Sequence, residues 1–274
     1  MTAADRARAL QTLLEKLRAR HKPEPKPDDD DAPGARDQVR SQGPDGSTSV
    51  RCVCHGDRLL RLFLHSFLAW ETTLAKADSA LARIEASVVD LNELRVCMPS
   101  EIAEIVGHNL PRGEERAARL RTALNDVFKR EHRLRLDHLG TKSKREARQY
   151  LDSLSGVPFY VSSRVALLGL DIHAVPVDTR SVGALAQSGV VDAKSAPEEI
   201  GAALERAVRA GEAREAHRVL QAWCDEGSSV VIRGLKGAPV GAPVGARVSR
   251  SARAASKTPA RSPRAKPTTG RAAK

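Results

Sequence analysis

Long apolar runs are missing from this sequence. Nowhere do 18 or more apolar residues follow one another, and the first residues are charged rather than signal-like. A spanning helix is therefore excluded by hydropathy, and the expectation is a soluble, unexported chain, cytoplasmic and, in a prokaryote, associated with the nucleoid. Cysteine is scarce: Cys52, Cys54, Cys97 and Cys224 are the only four in 274 residues, which does not read as a disulfide framework. Cys52-Val53-Cys54-His55 has the outline of half a metal site. A tetrahedral zinc needs about four ligands, and no second Cys/His pair lies nearby in sequence. Reduced thiols without a metal are expected.

Acidic residues are missing from the last stretch. Residues 227–274 hold eleven Lys and Arg and no Asp or Glu, which equals the net charge of +11 for the whole chain. The preceding residues balance to zero, so the affinity for polyanions implied by a high pI resides in this tail. No aromatic side chains interleave its charges, which excludes base stacking and leaves phosphate attraction. Its composition is low-complexity, with Gly-Ala-Pro-Val at 237–240 and again at 241–244. Large apolar residues are also missing between Lys22 and about Ser49, a Pro-, Asp- and Gly-rich stretch that includes Asp28–Asp31. Such a composition predicts a disordered linker over 22–56.

What remains is helical in pattern. Leu10, Leu13, Leu14 and Leu17 predict a short amphipathic helix within residues 1–21, and the pattern leaves open whether it docks. A dense apolar helix begins near Asp57, with Leu59, Leu60, Leu62, Phe63, Leu64, Phe67 and Leu68. Pro99 and Ser100 mark the start of a short helix. Ala117, Leu120, Leu124, Val127 and Phe128 stripe a longer one over 112–131, whose arginines suit a solvated face or a phosphate backbone. Ala147, Tyr150, Leu151 and Leu154 form one face of a helix that ends in the small-residue turn Ser155-Gly156-Val157-Pro158. A second short apolar helix follows to Leu170, and then Ala174-Val175-Pro176-Val177 leads to a lone carboxylate, Asp178. Three more helical patterns span 179–186, 196–210 and 212–225.

A hairpin between helices can aim backbone N–H groups at a phosphate, and Gly156 permits the turn. An aspartate at a cleft mouth can orient water and stabilise positive charge on a sugar. Taken singly, Gly156 is an ordinary turn glycine and Asp178 an ordinary helix cap.

Together, L-S-G-V at 154–157 and V-D-T at 177–179 resemble the helix-hairpin-helix and Gly/Pro-Asp signature of the endonuclease III superfamily of DNA glycosylases. Ser66, Ala69, Lys76 and Ala77 also match that family's opening helix, and Glu71 stands where the family has Asp. The resemblance covers roughly residues 57–226. It implies an all-α, discontinuous two-lobed fold, with a hairpin at 147–170, a catalytic-aspartate region at 171–182 and a disordered basic tail from 227. It implies double-stranded DNA as partner, a monomer, and a flipped damaged or mismatched nucleotide as substrate.

By the same resemblance Asp178 activates water, and Tyr160 lines the pocket where bifunctional members carry a Schiff-base lysine. Tyrosine cannot form a Schiff base, so a monofunctional glycosylase is expected. Gly156, Val157, Ser162 and Arg180 are the expected DNA contacts, with Leu68 at the position that fills the gap left by an extruded base, a position that suits a simple core leucine equally well. The backbone carbonyls of Asp152, Leu154 and Val157 match positions that hold a structural Na⁺ or K⁺. No cofactor is expected to be essential, and with only Cys224 in the relevant region an iron–sulfur cluster is not expected. Pro158 replaces the family's second hairpin glycine and has no N–H to donate, while Phe159 is expected to add bulk beside the phosphate. The alternatives are a DNA-binding protein that has lost catalysis, and a lyase using another lysine, such as Lys142 or Lys144.

Overall fold

The computed structural model describes residues 3–21, 40–42, 48–50, 53–54 and 56–227. Eleven α-helices account for most of them: α1 (Ala3–Arg20), α2 (Arg58–Ala69), α3 (Leu74–Ser87), α4 (Leu91–Val96), α5 (Pro99–Val106), α6 (Gly113–Glu131), α7 (Lys144–Ser153), α8 (Phe159–Gly169), α9 (Thr179–Gln187), α10 (Pro197–Ala207) and α11 (Ala213–Asp225). Short 3-10 turns occupy Asp137–Thr141 and Ala210–Glu212. The fold is all-α, as expected. One departure lies inside the predicted linker: β1 (Arg40–Gln42) and β2 (Thr48–Val50) pair antiparallel, with Ser41 opposite Ser49. With three residues each, both strands are too short for a period-two pattern to show in the sequence. The basic tail, the Gly-Ala-Pro-Val repeats and the Asp28–Asp31 run lie outside the described residues, as do Cys52 and His55.

Local chemistry sets the helix starts. Asp57 caps α2, accepting from the Leu60 N–H at 2.9 Å, and its second oxygen accepts from the N–H groups of Leu136 and Asp137. Ser143 and Glu146 form a reciprocal capping box at α7. Thr73 caps α3, Asp90 caps α4 and Asp178 caps α9. Pro99 and Pro197 open α5 and α10 at positions where a missing N–H has no consequence.

Packing groups α3, α4, α5 and α6 on one side, and α1, α9, α10 and α11 on the other, with α2 and α8 packed together between them. The chain is discontinuous in space because α1 returns to the C-terminal helices. Leu10, Leu13, Leu14 and Leu17 are all buried there, each such leucine contributing roughly 2 kcal/mol by apolar burial. Gln11 donates to the Ala207 carbonyl at 2.9 Å, and Arg18 pairs with Glu212 and Glu215. The docking left open by the sequence is thus settled, and α1 belongs to the domain. Val53 and Cys54, in the stretch expected to be linker, are buried in the same core.

Phe159, half-buried, packs its ring against α10. A Cβ on Gly201 of α10 would stand 2.5 Å from two ring carbons of Phe159 and 3.3 Å from the Val175 carbonyl. The Arg148 guanidinium also lies near the ring, 5.8 Å from its centroid. Gly201→Ala is therefore expected to destabilise the fold by about 1–3 kcal/mol through overpacking, read as a lower urea midpoint. Phe159→Leu in the same chain should recover much of that loss. An unchanged midpoint for the single variant would refute the close fit.

Candidate active site

The hairpin between α7 and α8 presses against α6. Gly156 has φ of 80°, and a Cβ there would lie 2.9 Å from the Arg119 carbonyl and 3.1 Å from Thr122 Cβ. Both the left-handed backbone and the close approach require glycine. The Ser155 N–H donates to Asp126 Oδ2 at 2.7 Å, the Val157 N–H turns back to the Leu154 carbonyl, and Pro158 has none. Arg130 ties the same corner, pairing with Asp126 and donating to the Ser153 hydroxyl and carbonyl, each at 2.7 Å. The Asp152, Leu154 and Val157 carbonyls, candidates for a bound Na⁺ or K⁺, belong to this segment; the Leu154 carbonyl accepts from the Val157 N–H, and the Arg130 guanidinium is anchored at Ser153 between them.

Asp178 sits at the N-cap of α9 and is only 2% exposed. Its Oδ1 accepts from the Ser181 N–H at 2.8 Å and the Ser181 hydroxyl at 2.6 Å. Its Oδ2 accepts from the Glu71 N–H at 3.0 Å, across 107 residues of sequence. A carboxylate offers about four lone-pair sites. Three are engaged, and the one left is on Oδ2.

Glu71 follows the end of α2 and answers in kind. Its carboxylate accepts from the Thr179 N–H at 2.9 Å and from the Thr179 hydroxyl at 2.7 Å. Beneath both carboxylates lies Arg116 of α6, a buried cation that donates to the carbonyls of Phe67, Leu68 and Pro111. Burial pulls its pKa down to about 10, while the charges of Glu71 and Asp178 act the other way; it remains a cation at neutral pH. The Trp70 ring lies 5.5–5.6 Å from the guanidinium carbons of Arg112, Arg116 and Arg119, within cation–π range.

A second polar chain runs behind the site. The Tyr160 hydroxyl donates to Gln221 Oε1 at 3.1 Å, Gln221 donates to Asp225 Oδ1 at 2.9 Å, and Arg180 reaches the same oxygen at 2.8 Å. Asp225 Oδ2 accepts from the Leu74 N–H at the start of α3. Tyr160 is thus buried rather than open to a pocket, and burial pushes its phenol well above the ordinary range. Cys224, next to Asp225, has its thiol pushed up to about 12 by burial, so it packs as a small neutral group near Ser181.

Asp178 and Arg180 stand together at the head of α9, where Arg180 pairs with Asp225, while other residues singled out from the sequence lie in the interior. Leu68 is fully buried. Ten of the twelve residues of α2 are buried, because that helix is surrounded by α3, α6 and α8, and a wedge into DNA is not available at this position. Ser162 is buried too, its hydroxyl turned to the Phe159 carbonyl, since α8 also lies in the interior. Lys144 reaches the Asp171 carbonyl at 2.6 Å. Glu71, Arg116, Ser181, Gln221 and Asp225 were not anticipated as site residues. Their contacts join segments dozens of positions apart, and no local pattern signals them; only Ser181, three residues after Asp178, could have been flagged as a capping partner.

No family model matches the sequence, and no curated protein matches it either. Among solved structures, a trapped covalent intermediate of endonuclease III with DNA, an estranged-adenine complex, matches with a TM-score of 0.50. The match covers 81% of this chain and 86% of that one, at 12% identity. This chain has the endonuclease III fold. A thermostable thymine-DNA glycosylase aligns over 65% of this chain and 77% of its own, at 17% identity and a TM-score of 0.46.

α7 and α8 flank the turn at Gly156, and Asp178 follows them at the head of α9.

Proposed function

We propose that this protein is a DNA glycosylase that hydrolyses the N-glycosidic bond of a nucleotide flipped out of double-stranded DNA. The observation that carries the reading is Asp178: a buried carboxylate, fixed by three donors, with one acceptor direction left on Oδ2. The carboxylate charge offsets the developing oxocarbenium ion as the glycosidic bond breaks and the base departs with its electron pair, an anion that solvent protonates. A water held on the remaining Oδ2 lone pair then bonds to C1′ and passes its proton to Asp178 Oδ2. Arg116 beneath the site keeps positive charge near both carboxylates. Strand cleavage is not part of the proposal. The residue at the family's Schiff-base position is Tyr160, a phenol buried and bonded to Gln221.

One observation favours a second reading. The near-complete burial of Asp178 also suits a pure helix cap in a DNA-binding protein without catalysis. Labelled duplexes carrying U:G, T:G, an oxidised pyrimidine, 8-oxoguanine or an alkylated purine decide between them. Breaks that appear only after hot alkali are expected for one or more of these lesions. Breaks without alkali, trapped by borohydride as a covalent adduct, would point to a lysine such as Lys142 or Lys144. Binding with no breaks under either condition would establish the non-catalytic reading.

A further inference from the structure

Glu71 occupies a backbone position that glycine normally fills. It lies two residues beyond the last residue of α2 with φ of 59°, the left-handed conformation in which helices commonly end and in which a Cβ is unfavourable. At such an end the N–H ordinarily turns back to a carbonyl of its own helix. Here the carbonyls of Phe67 and Leu68 are taken by the Arg116 guanidinium, and the Glu71 N–H points away from α2 to Asp178 Oδ2. The side chain then closes the loop in the opposite direction, its carboxylate accepting from both the N–H and the hydroxyl of Thr179. Two reciprocal links therefore tie residue 71 to residues 178 and 179. A strained conformation that its surroundings maintain beside a candidate reactive group is a sign of function.

We propose that Glu71 is the positioning residue of Asp178. Its side chain clasps Thr179 to hold its own backbone left-handed, and that backbone aims the N–H that orients Oδ2. This rests on the reading of Asp178 as the catalytic carboxylate. The role assigned to the side chain is indirect, which has an unusual consequence: glycine, which adopts the same conformation without strain, should replace glutamate better than alanine does.

The test uses the full chain as wild type, Glu71→Gly, Glu71→Ala and Glu71→Gln, with two readouts. The first is hydrogen exchange of the residue 71 amide followed by NMR, which requires no catalysis. The second is single-turnover base release, with DNA affinity measured separately. In the glycine variant the amide should stay protected and the rate fall by no more than about threefold. In the alanine variant protection should fall at least about tenfold and the rate by about 10- to 100-fold, with Kd nearly unchanged, as expected when a reacting group is displaced by a fraction of an ångström to an ångström. Glutamine keeps one acceptor for Thr179 and should fall between them. If glycine is as slow as alanine while both amides stay protected, the carboxylate itself acts and the proposal is overturned. Full rate and full protection in alanine would overturn it equally, and the glycine and glutamine variants keep the question decidable should alanine fail to fold. If wild type releases no base but the exchange pattern holds, the glycosylase reading has failed while the link to Asp178 stands.

Discussion

Asp178→Asn is expected to slow base release by about 10³-fold, the scale found when a preorganised electrostatic group is removed from a transition state, while DNA affinity changes by less than about threefold. Asparagine is a good N-cap, and its carbonyl can still accept from the Ser181 N–H at the head of α9. Its amide group, however, must face either the Glu71 N–H or the Ser181 pair, and all of these are donors to the aspartate. The lost bond and the misplaced donor should cost about 1–3 kcal/mol of stability, small enough for the fold to persist. Single-turnover assays on whichever lesion duplex wild type processes, together with a binding titration and a urea melt of the variant, separate the three effects. Undiminished base release in a folded variant would reduce Asp178 to a cap.

The second large effect concerns acid. His217 on α11 is buried, with its ring 6.3 Å from that of Tyr160 in an edge-on arrangement. Desolvation, with smaller contributions from Arg164 and Arg218, pulls its pKa from 6.5 down to about 3. The folded protein therefore holds it neutral where the unfolded chain takes a proton. Stability is full above about pH 6.5 and is lost as pH falls toward 3, at about 1.4 kcal/mol per pH unit from this group alone. By pH 4 the loss amounts to roughly 3 kcal/mol, a large share of the stability of an ordinary domain.

His65 acts in the same sense. Burial lowers its pKa, and Arg164 Nη1 meets its Nδ1 at 3.0 Å, which leaves Nε2 to donate to Asp78 Oδ1 at 2.9 Å. Asp78, lowered chiefly by that hydrogen bond, stabilises the fold above its unfolded pKa and loses the contribution as pH falls. Urea unfolding between pH 7 and pH 4 should show a steep decline, and His217→Leu should flatten it markedly whatever the variant does to stability at pH 7. A slope identical to wild type would show that His217 does not carry the acid response.

Several parts of this architecture were legible because they depend on neighbours in sequence. The leucine stripe of α1, the apolar stripes of α6 and α7 and the start of α10 at Pro197 are local matters of periodicity and capping, and helices form where they were expected. The short helix α4 and the break between α2 and α3 were not resolved. Six residues carry too little periodicity for the first, and the second depends on Thr73 capping α3 and on Asp225 reaching the Leu74 N–H. Leu68 shows the limit most clearly. Its spacing suits an exposed wedge as well as a core residue, and only the helices packed around α2 bury it.

The sequence by itself determined the helical class, the turn at Gly156 and the carboxylate that heads α9, because each follows from residue type and short-range spacing. Tertiary structure decided that α1 docks, that Tyr160 faces inward, and that Asp178 meets Glu71 over Arg116. Those outcomes rest on hydrogen bonds and close packing between segments separated by tens to more than a hundred residues. No pattern within one helix records such contacts, since they exist only after the chain has brought its distant segments together.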